Sequence, residues 1–305
     1  MSEPRSWCTV CPLLNLDVGL KVPVYFAKGL WLTLIPDWLR HDGWTELLSS
    51  SDREALKQQK YAFIVEYEAP SSGAPDPDWD GPEPRSIQEA KLEIAMLANL
   101  AMWFAKPSPA SFELVFHAPR WADGWNVQNS EKYPRLRSHP KDRYAVLADH
   151  DLEEALKLHA ALCTLPCRSP VWTAVRSTWA ALESRRIEVR ILLLWDALET
   201  LFGSEEIRQA SSPVPLRTGI FVSNDGDDAG ATIDRADKAY RHRRRLMQGQ
   251  WGGTTDLSDS AHEAEILLRC ALGRILRNDT LIEHFCRGRE SYLEGLLSNR
   301  DRPPE

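Results

Sequence analysis

The sequence contains no run of 18 or more apolar residues, so no segment is expected to cross a membrane. Its first five residues lack the charged-then-apolar pattern of a signal peptide, and we therefore expect a cytoplasmic protein. In that compartment the six cysteines are expected to be free thiols or metal ligands rather than disulfides. The formal net charge of -7 argues against a surface that is basic throughout, so any contact with nucleic acid must come from a local patch.

Sequence signatures of several enzyme classes are also missing. The chain has no phosphate-binding Gly-Lys-Ser/Thr loop, no Gly-x-Ser-x-Gly elbow and no dinucleotide-binding fingerprint. Cys8 and Cys11, joined by Cys163 and Cys167, leave a zinc site as an alternative, although Pro166 interrupts the second pair and no further Cys-x-x-Cys occurs. The histidines are scattered without ligand spacing. We predict that the protein holds no metal and no cofactor.

The first half of the chain mixes strand and helix signals. Short runs rich in aromatic and β-branched residues predict strands at 13–18, 22–26, 30–35, 61–68 and 111–117. Helices are predicted at 44–59 and 86–104, a solvated loop at 69–85, and an irregular stretch at 119–145. Most of the twelve tryptophans precede residue 130, which suits an aromatic core or a partner-binding surface. Residues 1–148 are therefore predicted to form a small mixed α/β domain of unknown role.

From residue 149 onward the pattern changes to successive helices, at 152–165, 170–185, 187–202, 232–250 and 280–297, with another after Gly253. The segment 187–202 carries apolar residues on nearly all sides, so it should be the central helix of a bundle. Residues 149–305 are thus predicted to be an all-α bundle. The whole chain is predicted to belong to the α+β class.

The strongest chemical signal is a local concentration of positive charge. Arg241, Arg243, Arg244 and Arg245 lie within five residues of the helix predicted at 232–250. Arg243 falls on the arc of this helix that is otherwise apolar; the other members of that arc are Ala236, Ala239, Tyr240, Leu246 and Met247. Because a guanidinium is costly to bury without an acceptor, Arg243 should face a groove, an interface or an internal acid.

Structural explanations compete with a functional one at each of these positions. The arginine run could be a solvated helix face paired with Asp234 and Asp237. On the helix at 187–202, an internal salt bridge or a hydrogen-bonded core pair explains Arg190 and Glu199 better than a catalytic role does. Arg217 is also best explained as a structural pairing partner.

Three landmarks in order give the second half a family resemblance. They are the run Ala197-Leu198-Glu199-Thr200-Leu201-Phe202, then Glu206-Ile207 with Arg217 in the next segment, then the helix end Tyr240–Gly249. In this order and spacing the segment resembles the ApeA-like branch of the HEPN domains, over about residues 150–280. The resemblance implies an α-helical bundle that dimerises. It also implies a link to metal-independent ribonucleases of toxin–antitoxin or phage-defence systems in bacteria.

The resemblance assigns roles to individual residues. Arg243 occupies the position of the motif arginine, which would stabilise charge on a phosphate, and Tyr240, Glu199 and Arg217 would support it. The motif histidine, which would move a proton, is replaced by Gln248, and glutamine does not exchange protons near neutral pH. We therefore expect a weak or lost ribonuclease that keeps dimerisation. RNA or nucleotide phosphate would bind at Arg241, Arg244 and Arg245.

A non-enzymatic function is the alternative. The helical half would then be a dimerisation or adaptor module, and the tryptophan-rich N-terminal domain would recognise a protein partner or a phage component. Under both hypotheses the protein is expected to be a homodimer that does not bind membranes.

Overall fold

The computed structural model describes residues 6–16, 23–41, 45–46, 48–68, 86–122, 124–137, 146–203, 213–223, 229–250 and 254–298. An antiparallel sheet with helices is followed by a helical region, which confirms the α+β class. Internal contacts divide the chain into two units, residues 1–163 and 164–305. The loop predicted at 69–85 and the landmark Glu206-Ile207 lie outside the described residues. Among the described helices, none is long and apolar enough to cross a membrane.

The described part of the first unit contains eight strands and four helices. Its strands are β1 (Ser6–Leu14), β2 (Val24–Ala27), β3 (Leu30–Leu34), β4 (Tyr61–Glu68), β5 (Ser111–Phe112), β6 (Leu114–Trp121), β7 (Gly124–Trp125) and β8 (Asn129–Lys132). Its helices are α1 (Asp37–His41), α2 (Ser50–Gln58), α3 (Ile87–Ala105) and α4 (Asp149–Cys163). A reciprocal pair of hydrogen bonds between Ser86 and Glu89 caps the start of α3.

All described strand pairings are antiparallel, in the order β2-β3-β4-β1-β6-β7, with β5 beside β1 and β8 beside β6. Both faces of the sheet carry buried apolar residues, and helices pack against each face. On one face Cys8 and Val10 of β1 pack with Leu39 of α1 and Leu56 of α2. On the other face, Phe63 of β4 meets Phe26, whose ring is 5.5 Å from that of His159 in α4.

Three predictions for this unit were wrong in detail. The strand predicted at 13–18 lies earlier in the chain, because β1 spans Ser6–Leu14 and ends before Asn15, whose φ is 56°. The helix predicted at 44–59 is shorter, because α2 begins only after Ser49, whose hydroxyl accepts a hydrogen bond from the Asp52 amide. The stretch 119–145 was predicted to be irregular, yet β6 continues to Trp121 and β7 and β8 follow. In addition, the predicted domain boundary at 148 differs from the division after Cys163, because α4 packs against α3 of the first unit.

The second unit is helical throughout its described part. Its helices are α5 (Pro170–Glu183), α6 (Ile187–Phe202), α7 (Val214–Val222), α8 (Ala229–Met247), α9 (Thr254–Leu276), α10 (Asp279–Arg287) and α11 (Arg289–Ser298). Helix α6 packs against α5, α7, α8 and α9, which confirms its central position. The single helix predicted at 280–297 is two helices, because the chain breaks at Gly288 between α10 and α11.

Helices α7 and α8 approach each other unusually closely at Gly219. A Cβ atom built at Gly219 would lie 2.6 Å from the Ile233 side chain and 2.8 Å from the Ile233 Cα. Only a residue without a side chain fits this contact. The close approach fixes α8 against the rest of the unit and thereby sets the direction in which its last two turns point.

Candidate functional site

Three residues singled out in the sequence meet between α6 and α8. The Glu199 carboxylate accepts a hydrogen bond from Nη2 of Arg243 at 2.6 Å and another from the Tyr240 hydroxyl at 3.0 Å. The Arg243 and Glu199 side chains are 17% and 30% exposed, so Arg243 faces inward as predicted, and its partner is an internal acid. Because both side chains are partly buried, solvent and salt screen this pair less than a fully exposed ion pair.

Aromatic rings complete this cluster. The guanidinium of Arg243 lies over the Tyr240 ring, 5.5 Å from its centroid, and the Tyr240 ring contacts that of the fully buried Trp195 at 4.9 Å. A cation over an aromatic face is attracted by the ring quadrupole. Arg243 is therefore held by a carboxylate and a ring, which preorganises it but also neutralises much of its charge.

Two more arginines donate hydrogen bonds to backbone carbonyls in the last turn of α6. Arg217 of α7 is 3% exposed and donates a hydrogen bond to the carbonyl of Phe202 at 3.0 Å. Arg289 of α11 donates to the carbonyl of Thr200 and also contacts Glu290 at 3.0 Å. Both carbonyls belong to the last turn of α6, where the negative end of the helix dipole lies, so both arginines serve as C-terminal caps. Burial lowers the pKa of the Arg217 guanidinium, yet it stays charged near neutral pH.

A second internal ion pair anchors the opposite end of α6. Nε of Arg190 lies 2.5 Å from the Glu265 carboxylate of α9, and the two side chains are 8% and 5% exposed. The expectation of a structural ion pair at Arg190 is confirmed. Glu265 itself was missed, because nothing in the local sequence separates it from the other acids of α9.

The remaining arginines of α8 differ in their surroundings. Arg241 is bound by Asp237 one turn earlier, as the solvated-face interpretation anticipated. Arg244 and Arg245 are exposed, and no hydrogen-bond or ion-pair partner of either side chain occurs within the described part of the chain. Arg241 and Arg243 are thus each paired with an acid of the same chain, whereas Arg244 and Arg245 have no such partner among the described residues.

Gln248 occupies the end of α8 rather than the Glu199 cluster. Gly249 adopts a positive φ of 70°, and the amide of Gln250 donates to the carbonyl of Arg245 at 2.8 Å, which closes the helix in a Schellman motif. Gln248 is exposed at this terminus. Positions five apart on a helix point about 140° away from each other. Arg243 and Gln248 of one chain therefore do not face a common point.

The prediction that the apolar arc of α8 is buried is correct for only part of the helix. Ala236, Ala239 and Tyr240 are buried, but Leu246 is half-buried and Met247 is 65% exposed. In the last two turns of α8, Arg243 and Leu246 are partly buried, whereas Arg241, Arg244, Arg245 and Met247 are exposed. The predicted burial of Met247 was wrong, and its exposure places an apolar side chain beside Arg244 and Arg245.

A groove lies between α8 and α9, near these arginines. It encloses a cavity of about 190 Å³. Its lining residues are Arg235, Lys238, Ala239, His242, Asp256, Asp259, Ser260 and Glu263. Arg235 contacts Glu263 at 2.7 Å, and the Ser260 hydroxyl donates to the carbonyl of Ala239 at 3.3 Å. The groove therefore combines basic groups from α8 with acidic groups from α9.

The cysteines do not support the zinc alternative. Cys8 and Cys11 are three positions apart on β1, so their side chains point to opposite faces of the sheet and cannot share an ion. Burial raises the pKa of both thiols well above the ordinary value of cysteine, which keeps them protonated. Among the described residues no group of three or more His, Cys, Asp or Glu side chains could hold a metal ion.

No family model, no curated protein and no solved structure matches this chain.

Proposed function

We propose that the helical unit is a HEPN-like bundle that binds RNA through its phosphates at the C-terminal end of α8. Arg244 and Arg245 carry this proposal, since both are exposed and neither has a partner among the described residues. The adjoining Arg243 is fixed by Glu199 and Tyr240. On a chain with a net charge of -7, such a patch concentrates positive charge where an external anion can reach it.

Within this proposal the protein cleaves RNA weakly or not at all. Cleavage at the 2′-hydroxyl requires a group that accepts and returns a proton, and the Gln248 amide at the motif position cannot do so. Because Arg243 and Gln248 diverge on one helix, their joint action on one phosphate would need a second copy of the chain, which fits a homodimer. A role in bacterial defence or a toxin-type system is part of the same proposal.

The binding proposal is tested with single-stranded RNA of about ten nucleotides by fluorescence anisotropy. The double variant Arg244→Ala/Arg245→Ala should weaken binding by at least about tenfold at low salt. The matched control is Arg176→Ala, which removes an exposed arginine of α5 that also lacks a partner among the described residues. Equal losses in the double variant and the control would overturn the assignment of the site to α8.

The catalytic part is tested separately with purified protein in EDTA. The natural chain should cleave RNA slowly or not detectably, and Gln248→His should increase the cleavage rate. The increase should disappear when Arg243→Ala is added, because the charge on the phosphate would lose its stabilising guanidinium. Efficient cleavage by the natural chain that survives Arg243→Ala would contradict this mechanism.

A second candidate function is suggested by exposed apolar residues of the first unit. Tyr25 on the edge strand β2 and Leu34 at the end of β3 are 68% and 54% exposed. Large exposed apolar side chains at a sheet edge suit an adaptor that docks a protein partner. This alternative predicts no RNA binding at low salt. It also predicts that Tyr25→Ser/Leu34→Ser abolishes binding of the protein partner and leaves the oligomeric state unchanged by light scattering.

A further inference from the structure

We propose that the groove between α8 and α9 binds a guanine base of the RNA whose phosphates contact Arg244 and Arg245, an inference that rests on the proposed function. One basic stripe of α8 leads from the groove to the phosphate-binding end. It consists of Arg235, Lys238, His242 and Arg245, at successive spacings of three, four and three residues. Such residues share one helix face, with neighbours about 5–6 Å apart. Arg245 therefore lies one turn beyond the groove, within reach of the phosphate of a base bound there.

The opposite wall of the groove is an acidic stripe of α9, formed by Asp256, Asp259 and Glu263. The Arg235–Glu263 ion pair closes one end of the groove. Arg235 contacts Glu263, and Ala239 contacts Ser260, so the two helices are antiparallel along the groove. The next positions along the two helices, His242 and Asp256, therefore face each other at the end that leads to Arg245.

Several groups at this open end are available to a ligand. Lys238, His242 and Asp256 have no hydrogen-bond or ion-pair partner within the described residues, although side chains of opposite charge line the same cavity. All three groups line the cavity of about 190 Å³. This volume is below the roughly 300–1,000 Å³ of sites that enclose a whole small-molecule ligand. A single base fits this scale, with its sugar and phosphate outside.

Guanine matches the combination of a carboxylate and an ammonium better than the other RNA bases. Its Watson–Crick edge presents two N–H donors, N1–H and N2–H, beside the acceptor O6. The Asp256 carboxylate would accept both N–H bonds, as carboxylates do from paired donors. The Lys238 ammonium would donate to O6, and the His242 ring would provide a surface for stacking. Adenine and cytosine would place an acceptor nitrogen of the ring against the carboxylate, which repels it. Uracil would offer the carboxylate one N–H, flanked by two carbonyl oxygens that repel the carboxylate.

The test compares oligouridines of about ten nucleotides that carry a single central G, A, C or U. Binding is measured at about 50 mM salt, where phosphate contacts are strong. The strand with G should bind about tenfold more tightly than the other three, the discrimination expected of a paired base contact. Asp256→Asn should remove this preference and leave the affinity for the all-uridine strand within about twofold, because Asp256 contacts no phosphate.

The matched control is Asp234→Asn, which removes an exposed acid of α8 outside the groove and should retain the preference for G. Circular dichroism checks that both variants stay folded. Equal binding of all four strands, or a preference for G that survives Asp256→Asn, would overturn the guanine site and leave phosphate binding intact. If no strand binds, both the proposed function and the guanine site are overturned.

Discussion

The ion pair between Arg243 and Glu199 should contribute more to stability than the exposed ion pairs of the same unit. We expect Arg243→Met and Glu199→Gln each to lower the free energy of unfolding by about 1.5–3 kcal/mol, the range for hydrogen bonds to charged groups. Two unit charges about 4 Å apart attract by about 4 kcal/mol at an effective dielectric constant near 20, and desolvation offsets part of this. The side chains are 17% and 30% exposed, so we expect a net coupling of about 1–2 kcal/mol.

A double-mutant cycle in urea, followed by circular dichroism, measures this coupling. The matched control is Arg235 with Glu263, which also joins α8 to a neighbouring helix but whose side chains are 50% and 28% exposed. Its coupling should stay below about 1 kcal/mol. If the coupling between Arg243 and Glu199 is no larger than that of the control pair, the internal anchoring of Arg243 is refuted.

Three further perturbations test other parts of the structure in urea unfolding experiments. Burial lowers the pKa of His117, so as the pH falls the unfolded chain binds a proton at this histidine before the folded chain does, and stability should decrease below about pH 6.5. His117→Gln should make this decrease smaller, and an unchanged pH profile of stability would contradict the role of His117. Arg190→Met should cost about 3–5 kcal/mol by removing the guanidinium from the buried Glu265 carboxylate, whereas Arg190→Met/Glu265→Leu should cost much less, and equal losses would refute a buried ion pair. Gly219→Ala should cost about 1–3 kcal/mol through its clash with Ile233, and a neutral result would contradict the close approach of α7 and α8.

Periodicity in the sequence predicted the features that depend on one helix alone. The central position of α6 followed from its nearly continuous apolar surface, and the inward orientation of Arg243 followed from its place on the apolar arc of α8. The identity of the partner across the helix interface did not follow. Glu199 and Glu265 both lie in helices, and their local sequences do not show which arginine each one contacts. Only the packing of α6 against α8 and α9 pairs Glu199 with Arg243 and Glu265 with Arg190.

Other features escaped prediction because their sequence signals are weak. Strand β8 consists of Asn129, Ser130, Glu131 and Lys132, and such a polar segment at a sheet edge has no apolar alternation to reveal it. The groove between α8 and α9 was missed for a different reason. Its basic stripe lies on α8 and its acidic stripe on α9, so each stripe alone has the sequence pattern of a solvated helix face.

The salt dependence of RNA binding tests the central claim most directly. If Arg244 and Arg245 each contact a phosphate, the logarithm of the association constant should fall linearly with the logarithm of the salt concentration. The slope of Arg244→Ala/Arg245→Ala should then be shallower than that of the natural chain by about 1.4, since each phosphate contact on a single strand contributes about 0.7. Identical slopes for the two proteins, or no binding by the natural chain at low salt, would contradict the assignment of an RNA-binding site to the end of α8.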